Sequence, residues 1–205
     1  MQTTLTANWV LRSFNRHETI PLRTDSLWLI KGGAVKTLTW NEQGTAVTLG
    51  YWGSGDIVGQ PLSQISPYEI KCVTRVQASS IPLDHWNWLS DAIRRYIQQT
   101  EELLYLARCE PIRQRLLKIL IWLARKFGRK VDQGQLIELR LTHQELAEVT
   151  GTTRVTVTRL LNQLVQQGII SRTPSHSIIV GSLFLADQPE KIQHNVARIP
   201  YPRHE

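Results

Sequence analysis

The sequence predicts an α+β chain: an N-terminal antiparallel β-roll, a long helix suited to dimerisation, and a C-terminal winged helix-turn-helix. Three observations carry this. Residues 14–83 alternate β-branched and aromatic runs with glycine turns, the pattern of a small antiparallel roll or barrel. Residues 84–108 hold no Gly or Pro and are rich in helix formers. Residues 141–172 set two amphipathic segments on either side of one glycine. The corresponding divisions are a roll at 1–83, a dimerisation helix at 84–109, a DNA-binding module at 110–180 and a loosely held tail at 181–205.

In the roll, LWLIKGGAVKTLTW and TAVTLGYWGSGDIVGQ are broken by Gly32-Gly33, Asn41–Gly44 and Gly53-Ser54-Gly55, and VTRVQASSIPL continues the pattern. Trp28, Trp40 and Trp52 fall on strands and are expected in the core or at its rim. Gly53, Gly55 and Gly59 lack the following helix that a dinucleotide loop requires, so they read as turn residues.

Asp84 is the expected cap of the long helix, with Trp86 and Trp88 wedging it against the roll. Leu89, Ile93, Tyr96, Thr100, Leu103 and Ala107 follow alternating steps of four and three, a coiled-coil seam. A shifted register through Ile97 and Leu104 fits nearly as well. One side is expected to bury on the roll and the other on a second chain. Pro111 then punctuates, and Ile112–Phe127 reads as a helix with Leu116, Leu117, Ile119, Leu120 and Leu123 inward. Residues 128–134 read as a loop.

Thr142 with Glu145 three residues on forms a capping box ahead of a short helix. Gly151 supplies a turn, and Thr152 or Thr153 caps a second helix running to about Gln167. In that helix Val157, Leu160, Leu161, Leu164 and Val165 face a core. Arg154, Val155, Thr158 and Arg159 lie largely off that stripe, near its start, as base-reading side chains of a major-groove helix would. Residues 171–180 read as a wing turning at Thr173–His176.

The formal charge is +7, and the window 108–172 alone holds 12 basic and 5 acidic side chains. Positive charge therefore gathers where phosphate contacts need it. Arg113, Arg140, Thr142, Thr153, Thr156 and Ser177 are the expected contacts to the DNA backbone. No segment is long and apolar enough to span a bilayer, and the N-terminus lacks a signal-peptide pattern. Cys72 and Cys109 make neither a disulfide framework nor a metal motif, so a reduced, cytoplasmic protein with no metal is expected. No nucleophile–base pairing at a recognised spacing suggests an enzyme.

The order of elements resembles the CRP/FNR superfamily of bacterial transcription regulators over residues 14–180. The resemblance is strongest in THQELAEVTGTTRVTVTRLLNQL, which is similar to the nitrogen-control (NtcA-type) branch, and weaker in GDIVG and SSIPLDHW. It implies a cyclic-nucleotide-binding-like jelly roll and a homodimer that reads a palindrome in double-stranded DNA with residues 153–167. RNA polymerase is a further implied partner. Arg154, Val155 and Arg159 occupy the base-reading positions, with a GTA half-site facing TAC across a spacer. Cyclic-AMP-responsive members carry glutamate where this chain has Val155.

The departures are informative. Gln60 and Glu69 stand where cyclic-nucleotide binders place a glutamate and an arginine, so a cyclic phosphate is not expected. No N-terminal cysteine cluster supports an iron–sulfur sensor, and His17 and His85 alone do not make a haem site. An NtcA-type protein would take 2-oxoglutarate as effector; Arg75, Arg94 and Arg95 are the candidate partners, and no other cofactor is expected. A roll this short at its N-terminus also fits loss of any effector pocket. The alternative is an effector-sensing or protein-interaction module whose winged helix no longer binds DNA specifically; Arg154 and Arg159 speak against it.

Overall fold

The computed structural model describes residues 9–174 and 177–186; the side chains of residues 86–88 and 186 lie outside that description. The roll is built from β1 (Leu11–Phe14), β2 (Thr19–Ile20), β3 (Ser26–Gly32), β4 (Val35–Trp40), β5 (Ala46–Trp52), β6 (Ile57–Val58), β7 (Glu69–Cys72) and β8 (Val76–Pro82). Two four-stranded antiparallel sheets, β1-β8-β3-β6 and β2-β7-β4-β5, face each other. Their near-continuous apolar runs bury large side chains between them, including Trp28, Trp52 and Ile70. Each indole finds a polar partner: Trp28 Nε1 donates to the Pro21 carbonyl and Trp52 Nε1 to Thr37 Oγ1. Trp40, at the end of β4, is a rim residue with 37% exposure.

The long helix begins later than its sequence suggests. Leu83–Leu89 form a 3₁₀ segment broken at His85, and α1 spans Ser90–Ala107. Asp84 is not its cap: its carboxylate meets Nδ1 of the neighbouring His85 at 2.6 Å, a local contact that competes with helix formation. The side chains of Trp86 and Trp88, expected as wedges, lie outside the described residues.

Helix α1 serves two cores. Leu89, Ala92, Ile93 and Tyr96 pack on the roll, and Tyr96 stacks on Trp52 at 4.4 Å. Leu103 and Leu106 join the core of the C-terminal module. The seam through Leu89, Tyr96 and Leu103 is therefore consumed inside the chain. The shifted register is the open one: Ile97 is 53% and Leu104 58% exposed, with Thr100 exposed between them.

The C-terminal module comprises α2 (Ile112–Phe127), β9 (Gly128–Val131), β10 (Gly134–Ile137), α3 (His143–Thr150), α4 (Arg154–Gln166), β11 (Ile170–Arg172), β12 (Ile178–Gly181) and α5 (Ser182–Ala186). Residues 128–134, expected as a loop, instead form a hairpin with the strand that follows. Gly134 pairs with Val131 across the short turn, and the sheet runs β11-β12-β10-β9. The exposed Arg129 and Lys130 hide the strand pattern from a reading by hydropathy. The start of the tail is also ordered: Phe184 and Leu185 of α5 pack on the core, and Arg125 donates to the Leu185 carbonyl. Residues 187–205 lie outside the described residues.

Two lysines join roll and module. Lys36 on β4, 7% exposed, reaches Glu145 Oε1 at 3.2 Å and Glu148 Oε2 at 3.3 Å on α3. Lys126 on α2 reaches Asp56 Oδ2 at 2.7 Å in the β5–β6 turn, among the rings of Trp52, Trp122 and Phe127. A side chain at Gly53 would put its Cβ 2.9 Å from Phe127 Cε1, so the turn approaches α2 only because it carries glycine there. Burial, together with Glu145 and Glu148, holds the Tyr51 phenol well above its ordinary pKa, so it adds no further negative charge.

Removing one partner of a buried charge cluster leaves the others unpaired. Lys36→Met should lower stability by about 3–5 kcal/mol in urea denaturation. Adding Glu145→Gln and Glu148→Gln to that variant should recover most of the loss.

Candidate nucleic-acid interface

The helix-turn-helix is assembled by its caps. Thr142 Oγ1 accepts from the Glu145 amide at 3.1 Å, and Glu145 Oε2 accepts from the Thr142 amide at 2.9 Å, completing the capping box. Burial alone would raise the Glu145 pKa. The Thr142 amide and the Lys36 ammonium outweigh it and hold the carboxyl below its ordinary value. Gly151 closes α3 in the left-handed region at φ 64°, where other residues are strained. Arg115 crosses from α2 to donate to the Thr150 carbonyl at 2.9 Å, satisfying the end of that helix.

Helix α4 is capped by Thr153, whose Oγ1 accepts from the Thr156 amide at 3.2 Å. Val157, Leu160, Leu161 and Leu164 are buried, whereas Val165, expected with them, is 38% exposed because it falls at the edge of the apolar stripe. Arg154, Val155 and Arg159 are exposed, Val155 by 78%. Among the described residues neither arginine has an acidic partner, so both guanidinium groups remain available to a polyanion. The exposed valine between them offers an apolar contact of the kind that a thymine methyl accepts.

The other expected contacts divide by how their polar groups are used. The Thr158 hydroxyl is engaged inside the protein: it donates to the Arg154 carbonyl at 2.9 Å and lies 2.7 Å from His143 Nδ1. Thr142, Thr153 and Thr156 spend their hydroxyls on caps. Arg140 is exposed, and its carbonyl accepts from Arg16 of the roll. Arg113 donates to Gln167 at the far end of α4, about 20 Å along the helix from Arg154. Ser177 donates its amide to Thr173 Oγ1 in the wing turn, and His176 lies outside the described residues. The structure thus gathers Thr142, Arg154 and Thr158 at one end of α4 and sets Arg113 at the other. His143, absent from the sequence expectations, joins the first group. Its contact spans 15 residues, and no local spacing signals it.

Among the described residues no common hydrogen-bond partner joins the effector candidates. Arg94 pairs with Asp91 at 2.9 Å, Arg95 donates to the Gly55 carbonyl at 2.8 Å, and Arg75 is exposed between β7 and β8. Gln60 donates to the Ser63 carbonyl, and Glu69 accepts from the Thr19 hydroxyl. Among the described residues no helix is long and apolar enough to cross a membrane.

Comparison with known proteins fits this geometry. Residues 114–183 match the model of the Crp-like helix-turn-helix domain. The chain is 38% identical over 160 residues to the regulatory protein CysR of Synechococcus elongatus, covering 77% of each chain. It is 28% identical over 198 residues to the global nitrogen regulator of the same organism, covering 87% of this chain and 89% of that one. Among solved structures, a CRP-family transcriptional regulator from Thermus thermophilus superposes with a TM-score of 0.73 at 21% identity, covering 85% of this chain and 93% of that one.

Cap and contact residues should separate experimentally. Thr153→Ala should cost about 1 kcal/mol of stability by loss of the cap. Arg154→Ala, at an exposed site without an internal partner, should stay within about 0.5 kcal/mol of the parent. Thermal denaturation of the two variants checks both.

Proposed function

The chain belongs to the CRP/FNR family of transcription regulators, and we propose that it acts as a homodimer reading a palindromic DNA site through the N-terminal end of α4. The observation that carries this is the division of labour on that helix. Its apolar face is spent on the core, while Arg154, Val155 and Arg159 stand in solvent and, among the described residues, neither arginine has an acidic partner. Arginine offers paired donors to guanine O6 and N7, and Val155 suits a thymine methyl, which supports a GTA half-site opposed by TAC. Exposed Arg140 and the start of the wing position the phosphate backbone, and Arg113 serves the far end of the helix.

The open face of α1, Ile97, Thr100 and Leu104, supplies the dimer contact and sets two recognition helices about one turn of DNA apart. The role requires no catalysis. RNA polymerase is the partner through which a bound dimer would act on transcription. The resemblance to the nitrogen-control branch makes 2-oxoglutarate the effector to test. The aromatic filling of the roll and the separate engagements of Arg94 and Arg95 favour control without it.

Fluorescence anisotropy with a GTA/TAC palindrome and a scrambled duplex, at fixed moderate salt, tests the reading. The palindrome should bind more tightly, with affinity unchanged by 2-oxoglutarate. Arg154→Ala should cost about 1–3 kcal/mol and flatten preference at one base position. Equal binding of both duplexes by the parent would overturn the half-site assignment. In a separate measurement, Ile97→Asp with Leu104→Asp should yield monomers by analytical ultracentrifugation while far-UV circular dichroism stays unchanged.

A further inference from the structure

We propose that His143 is a contact to the DNA backbone that takes up a proton when the duplex binds. The inference rests on the DNA-binding reading above and adds a residue and a proton to it.

Thr158 Oγ1 has a single hydrogen, and at 2.9 Å from the Arg154 carbonyl that hydrogen goes to the carbonyl, which can only accept. The same oxygen lies 2.7 Å from His143 Nδ1, so in this second contact it accepts and Nδ1 carries the proton. Neutral His143 is therefore fixed as the Nδ1–H tautomer, and its Nε2 is a bare acceptor. A phosphate oxygen is also an acceptor and cannot bond to a bare Nε2. It can bond only to the imidazolium, with a second proton taken from solvent onto Nε2.

The surroundings suit an anion. An open groove lined by Thr142, His143, Gln144 and Arg154 lies beside the first turn of α3, where the helix dipole favours negative charge. The groups that bear on the imidazole are Arg154 of α4 and Arg172 of β11, both cationic, and the Thr158 hydroxyl. On its own helix, Glu145 is turned to Thr142 and Lys36. Burial first, then Arg172 and Arg154, keep free His143 below the ordinary histidine pKa, which favours the neutral imidazole. An approaching phosphate neutralises the two arginines and reverses the balance, raising the pKa in the complex. The sign follows: more protons are bound in the complex than in the free protein, so acidity favours binding.

The test uses the whole chain and the GTA/TAC palindrome, at fixed salt. Between about pH 8 and pH 5.5, parent affinity should tighten on acidification, by up to about tenfold per pH unit per protomer where linkage is complete. His143→Gln keeps a donor for Thr158 and should lose this slope, binding with the affinity that the parent shows at the alkaline end. His143→Arg, permanently charged, should bind tightly across the range. Calorimetry in two buffers of different ionisation enthalpy should count up to one proton taken up per protomer by the parent and none by His143→Gln. The imidazole proton resonances of the parent should give a higher pKa with DNA than without, a readout that needs no variant to fold. A parent that binds with no slope attributable to His143, or an imidazole pKa unmoved by DNA, would overturn the proposal and leave the DNA reading intact. A parent that binds no duplex at any pH would overturn both.

Discussion

The arrangement of this molecule depends on burying cations between its two cores. Lys36 runs from the roll to α3, and Lys126 runs back from α2 to the roll. Apolar contact is non-directional and would tolerate many dockings of a roll on a helical module. A buried charge does not, because any shift that unpairs it exposes the cost of desolvation without the compensating contact. The two lysines lie on different elements and reach in opposite senses. Satisfying both leaves one relative placement of roll and module, and with it one orientation of α3 and the recognition helix that packs on it.

Helix α1 extends this constraint to the dimer. Its first half is held by the roll through Ala92, Ile93 and the Tyr96–Trp52 stack, its second by the module through Leu103 and Leu106. The face that remains in solvent carries the apolar side chains Ile97, Leu104 and Tyr105, with Thr100 among them. A second chain laid on that face is positioned against both cores at once. In the proposed dimer, the spacing of two recognition helices would be tied to the same packing that stabilises each chain.

Much of this was legible in the sequence, for identifiable reasons. The roll, the capping box at Thr142 and the glycine at 151 are local signals, set by residue type and short spacing. The apolar face of α4 follows from helical periodicity alone. The start of α1 is not legible because Asp84 looks like a cap, whereas the chain uses it against its neighbour His85 and delays the helix to Ser90. The seam was ambiguous because both registers are apolar; one belongs to the chain's own cores, and only the folded neighbours reveal which. The β9–β10 hairpin was missed because Arg129 and Lys130 point to solvent and mask the strand alternation. The Thr158 hydroxyl looked available for DNA, since nothing near it in sequence indicates His143 across the turn. Lys36 and Lys126 carried no signal at all, since a lysine on a strand or helix reads as solvated until its partners are placed.

Glu145 has two oxygens and two employers. One oxygen begins α3 by closing the capping box on Thr142; the other faces Lys36 of the roll. The carboxylate cannot leave either without loosening its hold on the other, so starting that helix and seating the roll are one event. The consequence lies in cooperativity: roll and DNA-binding module are not beads on a string that melt in turn. A change that pulls β4 away from α3 would also loosen the first turn of the DNA-reading motif.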